Sequence, residues 1–280
     1  MTSVVVHLRP VSVAILVLGI LIGHVGVAKE APDLVFLSDY ESYVERTLDE
    51  FEGGIGGIGW VQEQAQLGDR MSQVTLAVAY KRGAHVPKDY EQALIWFRKA
   101  ADQGDAFAAS MLGRAYRLGE GTPIDDSKAN IWYRKAAEQG DAHSQLILGI
   151  AYSRGIWGLA RNDANAVSWL EKSAKQGFPE AQSELGRKYM NGEGVPKNYV
   201  LSVAWLRKAA EQGDPQGQAL LAIAYHMGKG VPKDDVRAYA WYNLRAAQGD
   251  EAAGKIRDFL SETMTPAQVA EAQKLSRELF

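Results

Sequence analysis

The sequence predicts an all-α solenoid of stacked antiparallel helix pairs, and three columns of residues recurring at one step predict it. Six of the seven tryptophans stand at Trp60, Trp96, Trp132, Trp169, Trp205 and Trp241, separated by 36, 36, 37, 36 and 36 residues. Tyr80, Tyr116, Tyr152, Tyr189 and Tyr225 keep that step, as do Gly68, Gly104, Gly140, Gly177, Gly213 and Gly249. A period of this size marks a repeat array, whose units bury their apolar faces only by stacking on one another. The 280 residues, which would otherwise suggest one or two globular domains, are therefore read as one elongated domain.

In chain order, residues 1–28 carry a basic Arg9, an apolar run from Val11 to Ile22, and Gly26-Val27-Ala28 ahead of Lys29-Glu30. This is the layout of a signal peptide, with small residues Gly26 and Ala28 at the cleavage positions. The apolar run of about a dozen residues is short of the ~20 that span a bilayer. Cleavage after Ala28 and a periplasmic or secreted location are expected; the other reading is an uncleaved inner-membrane anchor. Residues 33–52 place Leu37, Tyr40, Val44 and Leu48 on a helical stripe and are read as an N-terminal cap. That cap belongs to a segment, 29–68, which ends in the half repeat marked by Trp60 and Gly68. Ahead of Trp60, Gly54, Gly56 and Gly59 spell G-x-G-x-x-G, but an acidic helical stretch, Leu48 to Glu52, precedes it where a dinucleotide fold needs a strand. The run is expected to be an interhelix loop.

Five units follow, 69–104, 105–140, 141–177, 178–213 and 214–249, each encoding two helices and two turns. In the second, Asp105 is placed to cap the first helix, as are Asp69, Asp141, Asp214 and Asp250 elsewhere; Phe178 alone breaks the column. Leu112 and Tyr116 flank a small Gly113, where a neighbouring helix can approach closely. Gly119, Gly121 and Pro123 break the helix. Ala129, Trp132, Tyr133, Ala136 and Ala137 then form the apolar stripe of the second helix, which ends at Gly140. Residues 250–280 read as the C-terminal cap: a helix near 252–260, then Thr265-Pro266-Ala267-Gln268, the signature of a capping box.

The signatures GEGVPK at Gly192–Lys197 and WYRKAAEQGD at Trp132–Asp141 resemble those of the Sel1-like repeat family, relatives of tetratricopeptide repeats. The resemblance implies a right-handed superhelix with a concave face lined by the first helices. It also implies an adaptor that binds a protein or peptide partner on that face. Relatives in bacterial envelopes serve as regulators of signalling receptors, as assembly factors, or as secreted factors that meet host proteins. Cysteine-rich members have been proposed to act on cell-wall or β-lactam substrates. This chain has no cysteine, so it lacks their paired thiols, and a hydrolase stands only as an alternative, beside a membrane-tethered structural protein.

The formal net charge of −3 disfavours nucleic acid as a partner. The absence of cysteine excludes a disulfide framework and a thiol nucleophile. His85, His143 and His226 fall in three different columns, no H-E-x-x-H, G-x-S-x-G or P-loop occurs, and no metal, cofactor or catalytic residue is expected. Asp125-Asp126 and Asp234-Asp235 are placed to open second helices, where negative charge complements the helix dipole. The tryptophans are read as core, and the tyrosine hydroxyls as bonded to neighbouring backbone.

Departures from the repeat are the candidate contacts. The third unit is one residue longer, and its turn, Arg154 to Arg161, carries Trp157, the one tryptophan outside the column. An aromatic between Arg154 and Arg161 has the composition of an interaction hot spot; alternatively, Trp157 folds back over the adjacent turn. Its replacement by alanine is expected to leave stability nearly unchanged. Flanking the tyrosines, Arg114, Arg187 and Lys188 would give the concave groove a basic character, or are simply solvated surface charge.

Overall fold

The computed structural model describes residues 57–279. The expected signal peptide over residues 1–28, the helix expected over 33–52, and Gly54 and Gly56 lie outside the described residues. Within them the chain forms thirteen α-helices and no strand. Helix α1 is Gly57–Gln66, so Gly59 sits inside a helix and not in the expected loop. Five pairs follow: α2 Arg70–Arg82 with α3 Tyr90–Asp102, α4 Ala106–Leu118 with α5 Asp126–Glu138, and α6 Ala142–Arg154 with α7 Asp163–Lys175. The last two are α8 Pro179–Asn191 with α9 Tyr199–Glu211, and α10 Pro215–Met227 with α11 Asp235–Ala247; α12 Glu251–Ser261 and α13 Pro266–Glu278 complete the series. From α1 to α12 each helix packs on the next in sequence, across the unit boundaries as well as within units, which makes an all-α repeat solenoid.

Local chemistry sets the boundaries. Asp69, Asp105, Asp141 and Asp214 accept the backbone N–H three residues on, whereas Phe178 makes no side-chain cap and relies on Pro179 in the first turn. The first helices stop at Gly83, Gly119, Gly155, Gly192 and Gly228, all left-handed. Asp125 and Asp234 cap second helices as expected, and Asp89, Asn162 and Asn198 do so elsewhere. Thr265 and Gln268 close the capping box of α13, which packs on α11.

Close approach explains the small-residue column. A Cβ on Gly113 would lie 2.9 Å from the Tyr133 ring, and one on Gly149 or Gly186 would lie 2.7 Å from the Cγ of Leu170 or Leu206. The loop glycines work between units: Gly121 sits against the Tyr90 backbone and Gly194 against the Asp163 carbonyl, both at positive φ.

The core column is one position beyond the tryptophans. Phe97, Tyr133, Leu170, Leu206 and Tyr242 are all buried, whereas Trp169 and Trp205 are only half-buried and Trp60 is 38% exposed. Reading the whole tryptophan column as core therefore needs correction. Trp96, Trp132 and Trp241 are core, while the indole rings of Trp96, Trp132, Trp169 and Trp205 each lie under the ammonium of the lysine one turn on.

The tyrosine hydroxyls also depart from expectation, because they bond side chains of the preceding unit and not backbone. Tyr116, Tyr152 and Tyr225 accept from Arg98, Arg134 and Arg207 at 3.0, 2.7 and 3.1 Å. In the third unit the arginine is replaced by Glu171, and Tyr189 reverses its role, donating to the carboxylate at 3.2 Å. A second ladder runs through glutamines. Gln73, Gln145, Gln182 and Gln218 donate to the carbonyls of Ala65, Ala137, Ala174 and Ala210 near the ends of the preceding helices. Gln103, Gln176 and Gln212 in turn donate to Gln73, Gln145 and Gln182. These helix-end carbonyls, which also accept from the turn amides of Gly68, Gly140, Gly177 and Gly213, thereby gain a second donor from the neighbouring unit.

Candidate partner-binding surface

The first helices are almost wholly buried between the second helices of adjacent units, so few of their side chains reach solvent. Of the five residues two before the tyrosines, Val78 and Ile223 are buried and Arg114, Ile150 and Arg187 are half-buried. Arg114 lies 3.6 Å from Glu120. Arg187 binds Glu184 and Glu193, each at 2.9 Å, and these carboxylates outweigh the effect of burial and hold its guanidinium firmly charged.

Lys188 is 0% exposed, with its ammonium 2.6 Å from Asp163 and 3.0 Å from Glu193. A fully buried, doubly paired lysine presents nothing to a partner, which removes Lys188 as a contact. Because Arg114, Arg187 and Lys188 are all matched by carboxylates of this chain, they do not form a basic groove. The Lys188 hydrogen bond holds the Asp163 carboxyl below its ordinary range, helped by Arg161. At Glu193 burial pushes the other way, but Asn191, Lys188 and Arg187 together outweigh it and the carboxyl is also held low.

In the long turn of the third unit, Arg154 is exposed and Arg161 pairs with Asp163 at 2.9 Å. Trp157 is half-buried at φ 54°, a left-handed backbone that few non-glycine residues adopt, and Gly158 follows at φ 77°. The indole packs on the cluster of Ala129, Tyr133, Ala137, Ile147 and Leu148, beside Leu159, with the Arg117 guanidinium 5.1 Å from the ring. Trp157 therefore folds back onto its own molecule. A ring so placed contributes to packing, which corrects the expectation that its loss would leave stability unchanged.

That turn walls a cleft of about 440 Å³ against α5, lined by Ser127, Asn130, Ile131, Arg134, Lys135 and Glu138 on the helix and Gly158 and Leu159 on the turn. Asn130 is 8% exposed and donates its amide N–H to the Trp157 carbonyl, which leaves its own buried Oδ1 without a hydrogen-bond partner. Ile131, next along, is 64% exposed. Among the described residues, no group of three or more histidines, aspartates or glutamates could hold a metal ion, and no helix is long and apolar enough to cross a membrane.

Comparison with known proteins places this architecture. The family model described as Sel1 repeat matches residues 71–105, 106–141, 142–178, 179–214 and 215–250. The chain belongs to the Sel1 repeat family. Among solved structures it is similar to a Sel1 repeat protein from Oxalobacter formigenes, with 32% identity over 72% of this chain and 59% of that one, TM-score 0.63. It is also similar to a protective antigen present in uropathogenic Escherichia coli strains that displays an SLR fold, with 29% identity over 85% of this chain and 60% of that one, TM-score 0.55. The chain thus spans about three-fifths of the length of each. No curated protein matches it.

With the Sel1 repeats aligned on their tryptophans, Asn130, not singled out in the sequence, departs from its column, as does Lys188, which was. Asn130 stands where the other units carry Leu94, Val167, Val203 and Tyr239; Lys188 stands where they carry Ala79, Ala115, Ala151 and Ala224. Both were visible as column departures. What the columns lacked was depth: Lys188 is buried in an ion network, whereas Asn130 anchors the edge of an open cleft.

Proposed function

We propose that this Sel1 repeat chain is a non-catalytic interaction scaffold of the bacterial cell envelope that binds a protein or peptide partner. The five consecutive Sel1 repeats carry the proposal, since stacked repeats present an extended surface suited to a polypeptide. Both similar solved structures named above come from bacteria, and the layout of residues 1–28 supports export. Cleavage after Ala28 would leave a chain that starts at Lys29, with 30 basic and 34 acidic residues, a net charge of −4. Repeat units as proposed run over 69–249 between a capping segment, 29–68, and a C-terminal cap, 250–280. Of the residues singled out in the sequence, Arg154 and Arg161 keep a place on the accessible surface beside the Trp157 turn, whereas Arg114 and Arg187 are committed to carboxylates. The test is crosslinking in envelope preparations of the native host, followed by purification and N-terminal sequencing. A chain that begins at Lys29 and carries one dominant protein partner is expected; a clean, partnerless chain would overturn the proposal.

A further inference from the structure

Three departures from the repeat converge on one place: the extra residue in the third unit's turn, the left-handed Trp157, and Asn130 in an otherwise apolar or aromatic column. Asn130 clasps the Trp157 carbonyl, and since a carbonyl only accepts, the amide nitrogen must face it and Oδ1 is left without a partner. A buried acceptor with no donor costs about 1–3 kcal/mol. A leucine or valine, as in other units, would avoid that cost, so the position is not explained by packing alone. What the clasp does is hold Gly158 and Leu159 as a wall facing α5.

Along the other wall, Ile131, Arg134 with Lys135, and Glu138 form one ridge of α5 at successive turns, and all of them line the cleft. The order along the ridge is apolar, cationic, anionic. At about 1.5 Å rise per residue, Arg134 and Lys135 lie roughly 4.5 and 6 Å from Ile131 along the helix axis. Alternate residues of an extended strand lie about 6.7 Å apart on one face. An aliphatic side chain set against Ile131 and Leu159 would therefore bring a residue two positions away to Arg134 and Lys135, where a carboxylate is the complement. Each cation keeps N–H donors to spare: Arg134 gives one nitrogen to Tyr152 and lies half-exposed, and Lys135, whose ammonium lies over the Trp132 ring and 3.5 Å from Asp102, has three donors to share.

Resting on the interaction-scaffold reading, we propose that the cleft between α5 and the Trp157–Leu159 turn binds an extended segment of a partner polypeptide that carries an aliphatic residue two positions from an aspartate or glutamate. Asn130 acts as a positioning residue, through the turn it holds. Partner recognition is thereby placed at an edge between the second and third Sel1 repeats, outside the faces of the first helices.

A random heptapeptide display library panned against the full chain tests this, with the strongest binder then made synthetically and titrated by fluorescence anisotropy. Enrichment of an aliphatic residue two positions from an acidic one is expected. The synthetic peptide should lose at least tenfold in affinity on Ile131→Asp and on Lys135→Glu, and on exchanging its own acidic residue for lysine, which leaves the protein untouched. Ile95→Asp, in the same column one unit earlier, should leave affinity unchanged. Selection of unrelated sequences, no selection at all, or equal binding by wild type, Ile131→Asp and the charge-exchanged peptide would overturn the proposal. A partner captured equally by wild type and Ile131→Asp would sink the cleft and leave the scaffold standing. No partner captured even by wild type would sink the scaffold.

Discussion

Replacing Lys188 probes the joint between the third and fourth Sel1 repeats most sharply, because the lysine is wholly buried where every other unit carries alanine. Lys188→Ala removes three buried methylenes, about 0.8 kcal/mol each, and the cation that faces Asp163 and Glu193. Losing one partner of a fully buried pair costs about 3–5 kcal/mol. Here the Asp163 and Glu193 side chains keep 23% and 26% exposure and can recover water, so that contribution falls to about 1–2 kcal/mol. A total loss of about 3–4 kcal/mol is expected for alanine, and about 1–2 kcal/mol for Lys188→Met, which keeps the stem and loses only the charge. The pH dependence separates packing from charge. Both carboxyls are held below their ordinary range in the fold, so the stability they confer is complete above the unfolded carboxylate pKa, about 4, and is lost as pH falls through the lower folded values. Urea unfolding followed by circular dichroism should show the gap between wild type and Lys188→Met full at pH 7 and closing below about pH 4. A gap that persists undiminished to pH 3, or a methionine variant as stable as wild type at pH 7, would refute the ion-network account.

Asp214 should respond to pH in the opposite sense. Burial pushes its carboxyl up to about 6 from the ordinary 3.8, against the Gly217 N–H and Ser183, with Glu180 and Glu184 pushing the same way as burial. The fold then binds a proton between about pH 4 and 6 that the unfolded chain does not, so Asp214 lowers stability as pH rises through that window, by up to about 3 kcal/mol. Asp214→Asn keeps a good N-cap and should flatten that slope in urea midpoints from pH 4 to 7; an unchanged slope counts against it. Trp132→Ala should lower stability by about 3–5 kcal/mol and Trp157→Ala by about 1–2 kcal/mol in thermal melts, with equal losses refuting the difference in burial. Gly194→Ala, whose Cβ would lie 2.3 Å from the Asp163 carbonyl oxygen at positive φ, should destabilise more than Gly186→Ala, whose closest clash is 2.7 Å with the Leu206 side chain and is offset by about 1 kcal/mol of helix propensity. The reverse order would contradict the packing of the fourth Sel1 repeat onto the third.

Periodicity made the fold legible. The tryptophan, tyrosine and glycine columns give the pairs, and Asp105, Gly119 and the Thr265–Gln268 box give their ends, since capping is local chemistry that spacing reveals. Depth within the pair was harder to read. Trp132 and Tyr133 are adjacent and both aromatic, and only the packing of α5 on its neighbours decides that Tyr133 lies deeper. Charge was harder still, because Lys188 is silenced by Asp163, 25 residues away in the preceding unit. Trp157 was picked out by its break with the period, yet its direction depends on a left-handed backbone and on Asn130, 27 residues earlier. Column-by-column comparison carries identity; long-range pairing decides which departures face solvent.

The most direct test of recognition through the cleft is photocrosslinking from single positions of the full chain in the native envelope. Benzophenone side chains would replace Ile131 in the cleft and Val200, which is 66% exposed at the start of α9. A single protein adduct from position 131, absent from position 200, is the predicted result. Adducts from position 200 with none from position 131, or none from either, would contradict it.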